Sequence, residues 1–264
     1  MKYIFTLLFI SILYIANAQD RLFTYTYQSN VLNSGQREIE VWNTLENGRE
    51  DYYQRLRHRA EYEIGLGGNL QTAFYLNLSQ KTFFDKDLNQ LVKEPAEFGF
   101  SNEWKYKIFD PVANVVGLAL YGEFTIEPHE TELEGKIIAD KQTGRFLHVV
   151  NMVIERGWEK EVESNKVVTA AFTETQLHYA LAYRVKQGLQ VGFESILRNE
   201  WAPEKEYSNL FAGPGFSISR EKFWINGTFL PQITSFFSAD AKSNGLDLVH
   251  SSKFEARVIF SFVL

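Results

Sequence analysis

Polar and apolar residues alternate along most of this chain. In YYQRLRHRAEYEIGL, residues 52–66, Arg55, Arg57, Arg59, Glu61 and Glu63 take every second place, and Leu56, His58, Ala60, Tyr62 and Ile64 fill the places between. Steps of two scatter side chains round a helix but line them along one face of a strand. The rhythm recurs. Phe98, Phe100, Trp104, Tyr106 and Ile108 oppose Ser101, Glu103, Lys105 and Lys107; Val116, Leu118, Leu120, Phe124 and Ile126 oppose Gly117, Ala119, Tyr121, Glu123 and Thr125. Leu177, Tyr179, Leu181, Tyr183 and Val185 oppose Glu174, Gln176, His178 and Arg184. Phe254, Ala256, Val258, Phe260, Phe262 and Leu264 oppose Lys253, Glu255, Arg257 and Ser261.

The pattern predicts a strand-like segment at 22–28 that stands apart. Twelve more follow, at 37–46, 52–66, 70–80, 97–109, 115–127, 132–139, 145–158, 171–185, 189–199, 208–219, 222–233 and 251–264. Several reach the ~9–11 residues of a tilted membrane strand. Turn-like links (67–69, 110–114, 140–144, 186–188, 220–221) alternate with mostly longer polar ones (81–96, 159–170, 200–207, 234–250), although 47–51 and 128–131 in that second set are short. Short turns at one end and long loops at the other are the layout of an outer-membrane barrel, and an even strand count returns both termini to the short-turn end. The extra segment at 22–28 then belongs outside the wall, in the periplasm or in the lumen. Pro214 and Pro231 fall inside strand patterns and predict bulges or strand ends. Asn43, Gln54, His58 and Asn102 fall on the apolar side by parity.

A soluble sandwich alternates in the same way with its apolar faces inward. The length of the apolar faces favours a barrel, and so does the N-terminus. Residues 1–18 carry Lys2, the apolar run YIFTLLFISILYI and Ala16-Asn17-Ala18, the pattern of a cleaved secretory signal with the mature chain starting at Gln19. The run is shorter than the ~20 residues of a spanning helix. The C-terminal RVIFSFVL resembles the alternating aromatic strand read by barrel-assembly machinery, except that it ends in Leu264 instead of Phe or Trp. The expected organisation is a signal peptide at 1–18, an N-terminal periplasmic or lumenal segment at 19–36, and an all-β, up-and-down transmembrane barrel of about twelve strands at 37–264, with a polar charged lumen.

Composition narrows function. The net charge of −6 argues against nucleic acid as a partner, and the absence of cysteine removes disulfides and thiolate chemistry. No glycine-rich phosphate loop, zinc spacing or EF-hand pattern occurs, so no cofactor and no metal are expected. His129-Glu130 with Glu132 and Glu134 offers nitrogen and oxygen ligands, but acidic rim clusters are usually solvated. Among the histidines only His250, followed by Ser251-Ser252, approaches a base–nucleophile pattern, and its loop context favours coincidence. His178 reads as a lumen histidine hydrogen-bonded to a carboxylate.

The charged face remains. The candidate lumen and solute-path residues are Arg55, Arg57, Arg59, Glu61, Glu63, Glu103, Lys105, Lys107, Glu155, Glu174, His178, Arg184, Glu194, Arg198, Glu255 and Arg257, with Glu38, Glu40 and Glu123 on the same parity. Three arginines on one strand suit a carboxylate. Such charges either orient a solute in a pore or pair off and fill a narrow barrel.

Two stretches, FTYTYQSNVLNSGQREIEVWNTLENGREDYYQRLRHRAEYEIGLGGNLQTAFYLN and HETELEGKIIADKQTGRFLHVVNMVIERGWE, resemble a group of uncharacterised bacterial outer-membrane barrels of the Bacteroidota type. That group is similar in layout to the transporter-like barrels linked to the phenol meta-degradation pathway. The resemblance implies an outer-membrane location and, more weakly, transport. The resulting expectation is a non-enzymatic channel or transporter for small solutes. Its partners would be outer-membrane lipids, the assembly machinery through the C-terminal strand, and a small solute. A plugged structural or surface-interaction barrel is the alternative, and a lipid-acting enzyme the third reading.

Overall fold

The computed structural model describes residues 21–163, 166–202, 205–239 and 243–264; the expected signal peptide and its cleavage point lie outside the described residues. The strands are β1 (Arg37–Asn47), β2 (Tyr53–Gly67), β3 (Leu70–Asp85), β4 (Gln90–Lys93), β5 (Glu97–Phe109), β6 (Gly117–Ile126), β7 (Glu130–Thr143), β8 (Phe146–Glu163), β9 (Lys166–Lys186), β10 (Leu189–Ala202), β11 (Lys205–Ser219), β12 (Phe223–Ser238) and β13 (Phe254–Val263). They form one 13-stranded sheet in which neighbouring strands pair antiparallel. β4 is a short ribbon on the end of β3. The other twelve make a closed up-and-down barrel, in which β1 pairs with β13 and β2 with β3.

The wall is inside-out. Each of the twelve strands exposes large apolar side chains on its outer face, for example Ile39, Leu56, Leu76, Phe98, Leu120, Ile137, Met152, Leu177, Phe193, Phe216, Phe229 and Phe260. The inner face holds the carboxylates, amides and hydroxyls that a soluble protein would put outside. Two of the parity misfits satisfy each other: His58 faces Asn43 across β1–β2, with Nδ1 2.8 Å from Oδ1. Asn102 donates to Ala73 O (2.8 Å) and accepts from the Trp104 indole (2.7 Å).

Several loops are shorter than the sequence pattern indicates. β3 runs on to Asp85 and folds back through β4, and β8 and β9 run on to Glu163 and from Lys166. Residues 161–163 and 166–168 pair only with each other, so the tip of this hairpin extends past the neighbouring ladders. A ladder needs only alternate backbone bonds, and polar side chains beyond the apolar belt do not interrupt it. The two prolines sit where expected: the β11–β12 ladder opens between the Phe211–Gln232 and Gly215–Thr228 pairs, a gap that contains both Pro214 and Pro231. At the short-turn end, the Lys107 ammonium and the N–H groups of Val112 and Ala113 hold the Asp110 carboxyl down, to about 2.

Residues 22–28 are not a strand. The segment 21–32 lies inside the barrel, and many of its backbone N–H groups are satisfied by wall side chains instead of a ladder. Glu194 accepts from the N–H groups of Thr24, Tyr25 and Thr26, each at 2.9 Å; Asn151 Oδ1 accepts from Tyr27 N (2.7 Å), Asp140 from Ser29 N (2.5 Å) and Gln71 Oε1 from Leu32 N (2.8 Å). Alternation still matters: Phe23, Tyr25 and Tyr27 enter three separate apolar clusters formed by inward side chains of the wall. Tyr27 packs with Trp42, Tyr121 and Trp224, Phe23 with Val149 and Ala180, and Tyr25 with Ile196 and Phe211. Each buried aromatic contributes roughly 1.5–3 kcal/mol. Glycines admit the segment: a Cβ on Gly65 would sit 2.1 Å from Asn33 O, and one on Gly117 2.3 Å from Ser29 Oγ.

Candidate functional site

The segment 21–33 is a plug. Its contacts reach β3, β7, β8, β10 and β12, and Arg257 of β13 donates to Thr24 O at 3.0 Å. These wall residues lie toward the short-turn ends of their strands, so the plug and its apolar clusters fill that half of the lumen. The other half is a cavity of about 940 Å³, floored by Tyr25, Tyr27 and Trp42 and extending to the long-loop residues His129, Tyr207 and His250.

Cations are stacked on the floor. The Arg257 guanidinium lies 3.9 Å from the Tyr25 ring centroid; Lys136 lies 4.1 Å from both Tyr27 and Tyr121; Arg59 lies 4.3 Å from Tyr75. Each such contact is worth about 0.5–2 kcal/mol and fixes a long side chain that would otherwise sweep the cavity.

The walls above the floor differ in sign. β2 contributes Arg55, Arg57 and Arg59. Arg55 donates to Ser79, Arg57 pairs with Glu46, and Arg59 donates to Asn77 and pairs with Glu123 at 3.3 Å. The Arg57 side chain stays 48% exposed within the vestibule. Five and six places round the barrel, on β8 and β9, stand Glu155, Glu159 and Glu174, with Glu130, Glu132 and Glu134 on adjacent β7. Register explains this wall. Glu103, Glu123, Glu134, Glu155, Glu174 and Glu200 are successive cross-strand partners over β5 to β10, a single row of carboxylates climbing the lumen. Like charges placed directly opposite repel. The row survives because most members are compensated: Tyr75 donates to Glu103, Tyr121 to Glu123, Lys136 pairs with Glu134 (2.7 Å), Arg198 lies 3.7 Å from Glu174, and Tyr207 donates to Glu200 (2.7 Å). Among the described residues, Glu132 and Glu155 have no ion pair with a basic side chain. The arginines of β2 and the carboxylates of β7 to β9 therefore lie on different sides of one cavity.

The sequence-derived candidates separate into three groups. Arg55, Arg57, Arg59, Glu155, Glu174, His178, Arg198, Glu255 and Arg257 line the vestibule. Glu61, Glu63, Glu103, Lys105 and Glu194 are buried deeper in the wall, and Glu194 is the main anchor of the plug. Lys107 and Arg184 belong to neither: Lys107 pairs with Asp110 at the turn after β5, and Arg184 is exposed near the end of β9. Both follow lumen parity but sit at the short-turn rim, beyond the filled half. His178 Nε2 donates to Gln176 Oε1 (2.6 Å), an amide and not the carboxylate expected. His250 is engaged by Asp247 (3.2 Å) and stacked on Tyr207, while Ser251 Oγ accepts from Asn209, so these groups hold the 243–252 loop against the mouth. Lys136, Glu46 and Tyr207 escaped sequence reading; parity with Glu134 would have found Lys136.

The sequence itself matches one family over residues 15–264. The chain belongs to DUF6662, a family of unknown function. No curated protein matches it. Among solved structures, this DUF6662 chain is similar to the COG4313 outer membrane channel from Pseudomonas putida F1, at 10% identity over 89% of this chain and 98% of that one, with a TM-score of 0.64. The β domain of the Bordetella autotransporter BrkA matches at 8% identity, 88% and 100% coverage and TM-score 0.56. The KdgM porin, solved in complex with disordered oligogalacturonate, matches at 8% identity, 85% and 98% coverage and TM-score 0.51. These likenesses are of fold.

Proposed function

We propose that the protein is an outer-membrane barrel that passes small charged or dipolar solutes through its lumen, with the N-terminal segment as its gate. The outer apolar face supports membrane insertion: a closed barrel has no second surface to bury twelve strands' worth of large apolar side chains, and hydrocarbon is the environment that suits them. The channel structures of similar fold are consistent with this.

The observation that carries passage is the two-signed vestibule. Arginines on β2 and carboxylates on β8 and β9 set a field across the cavity. A wall whose charges merely filled the lumen would leave no 940 Å³ space. A dipolar solute entering from the long-loop end would align across this field before meeting the plug.

Flux through proteoliposomes tests the reading. Replacing Arg55, Arg57 and Arg59 by Gln removes the basic side and leaves the acidic row. The expected result is a shift of the reversal potential toward cation selectivity in a salt gradient. A folded variant with unchanged selectivity would sink the vestibule's role.

The plug favours one second reading. Its hydrogen bonds reach around much of the lumen, which suits a permanently closed structural barrel. That reading requires that loosening the plug opens no path.

A further inference from the structure

We propose that Glu38, Glu40 and Glu63, with Glu61 beside them, bind a divalent cation of the calcium type on the lumen face of β1 and β2. The two strands pair with Glu38 opposite Glu63 and Glu40 opposite Glu61, so alternation collects four carboxylates on one patch of wall. One oxygen from each of Glu38, Glu40 and Glu63 lies within 4.8 Å of the other two. Two oxygens on opposite sides of one calcium, bound at about 2.3–2.6 Å, stand up to about 5.2 Å apart, and three spaced evenly round it up to about 4.5 Å. The spacing lies within a few tenths of an ångström of what a shared ion needs, and an all-oxygen donor set favours calcium or magnesium over zinc or copper.

Glu61 is the independent sign. It is only 3% exposed, and its Oε2 has no hydrogen-bond partner. It stands directly across from Glu40 and next to Glu63 along the same face. A buried carboxylate oxygen without a donor is costly, and an ion seated among these groups would remove that cost.

The surroundings resemble the outer layer of a metal site, where donors orient the ligands. The Trp224 indole and Ser261 hydroxyl each donate to Glu38 Oε2 at 3.1 Å, the Trp42 indole donates to Glu40 Oε2 at 2.8 Å, and Gln71 donates to Glu63. Arg21 acts on Glu40, Glu61 and Glu103, and Lys105 lies opposite Gln71. Carboxylates outnumber these two cations in the patch. Gln71 also accepts from Leu32 N, so the amide that steadies Glu63 touches the plug.

Terbium(III), a calcium mimic, is the probe, with Trp42 and Trp224 as sensitisers in the full chain refolded in detergent. The expected result is saturable sensitised emission, displaced by calcium. The affinity should fall about tenfold or more in Glu63→Gln, as ligand-shell changes typically do, and hold in a Glu132→Gln, Glu155→Gln variant of the vestibule. Trp224→Phe keeps all four carboxylates and should still bind calcium by calorimetry with weaker emission, which covers a failure of Glu63→Gln to fold. No saturable calcium or terbium binding by the unaltered chain overturns the proposal. So does binding that is lost in the vestibule variant and retained in Glu63→Gln.

Discussion

At the scale of single residues, polarity on the wrong face is the informative feature. Asn43 and His58 interrupt the apolar outside of β1 and β2, and cross-strand register makes them each other's partner at 2.8 Å. Leaving one partner unsatisfied in an apolar setting costs about 1–3 kcal/mol, whereas replacing both is close to neutral. Asn43→Leu or His58→Leu alone should therefore destabilise the barrel, and the double replacement should recover most of the loss. A denaturant-unfolding cycle in lipid vesicles reads the coupling; strictly additive effects would show that the pair does not interact. Parity exposed these residues as misfits in the sequence. Their pairing was not legible, because register depends on turn geometry that a single strand does not encode.

At the scale of elements, the wall strands were legible, and the plug was legible only as a segment outside the wall, in the periplasm or the lumen. Twelve alternating segments predicted twelve strands with the right faces, since period two is a local property of the chain. Residues 22–28 carry the same period, and nothing local distinguishes them from a wall strand. Their partner is the side chain of Glu194, some 170 residues away in sequence. Strand ends at the long-loop side were also illegible, because β8 and β9 continue past the apolar belt as a polar ribbon. The plug's fit gives a prediction at this scale. Gly65→Val places a Cβ against Asn33 O, a backbone atom that cannot swing aside. The barrel should still form, since outer-face register is untouched, while the segment 21–33 loses its seat. Limited proteolysis in detergent should cut there in the variant and spare the unaltered chain. Equal protection would show that the plug tolerates the displacement.

At the scale of the whole molecule, the lumen is divided into a filled half and a wet half, and neither is a feature of any one strand. The carboxylate row from Glu103 to Glu200 arises because six neighbouring strands share a register, and the basic side arises because β2 lies across the barrel from β8 and β9. The sequence showed which charges face inward; closure decided which of them face each other. It also removed Lys107 and Arg184 to the rim and buried Glu194 beneath the plug. In the proposed function the plug closes a lumen that can otherwise conduct. Glu194→Ala deletes the acceptor for three plug N–H groups and two threonine hydroxyls, each charge-assisted bond being worth about 1.5–3 kcal/mol. Single-channel recording in a planar bilayer compares it with the unaltered chain. The unaltered protein should remain mostly closed, and Glu194→Ala should show discrete openings that are longer or more frequent. A folded Glu194→Ala barrel as silent as the original would contradict gating by this segment and leave a sealed structural barrel.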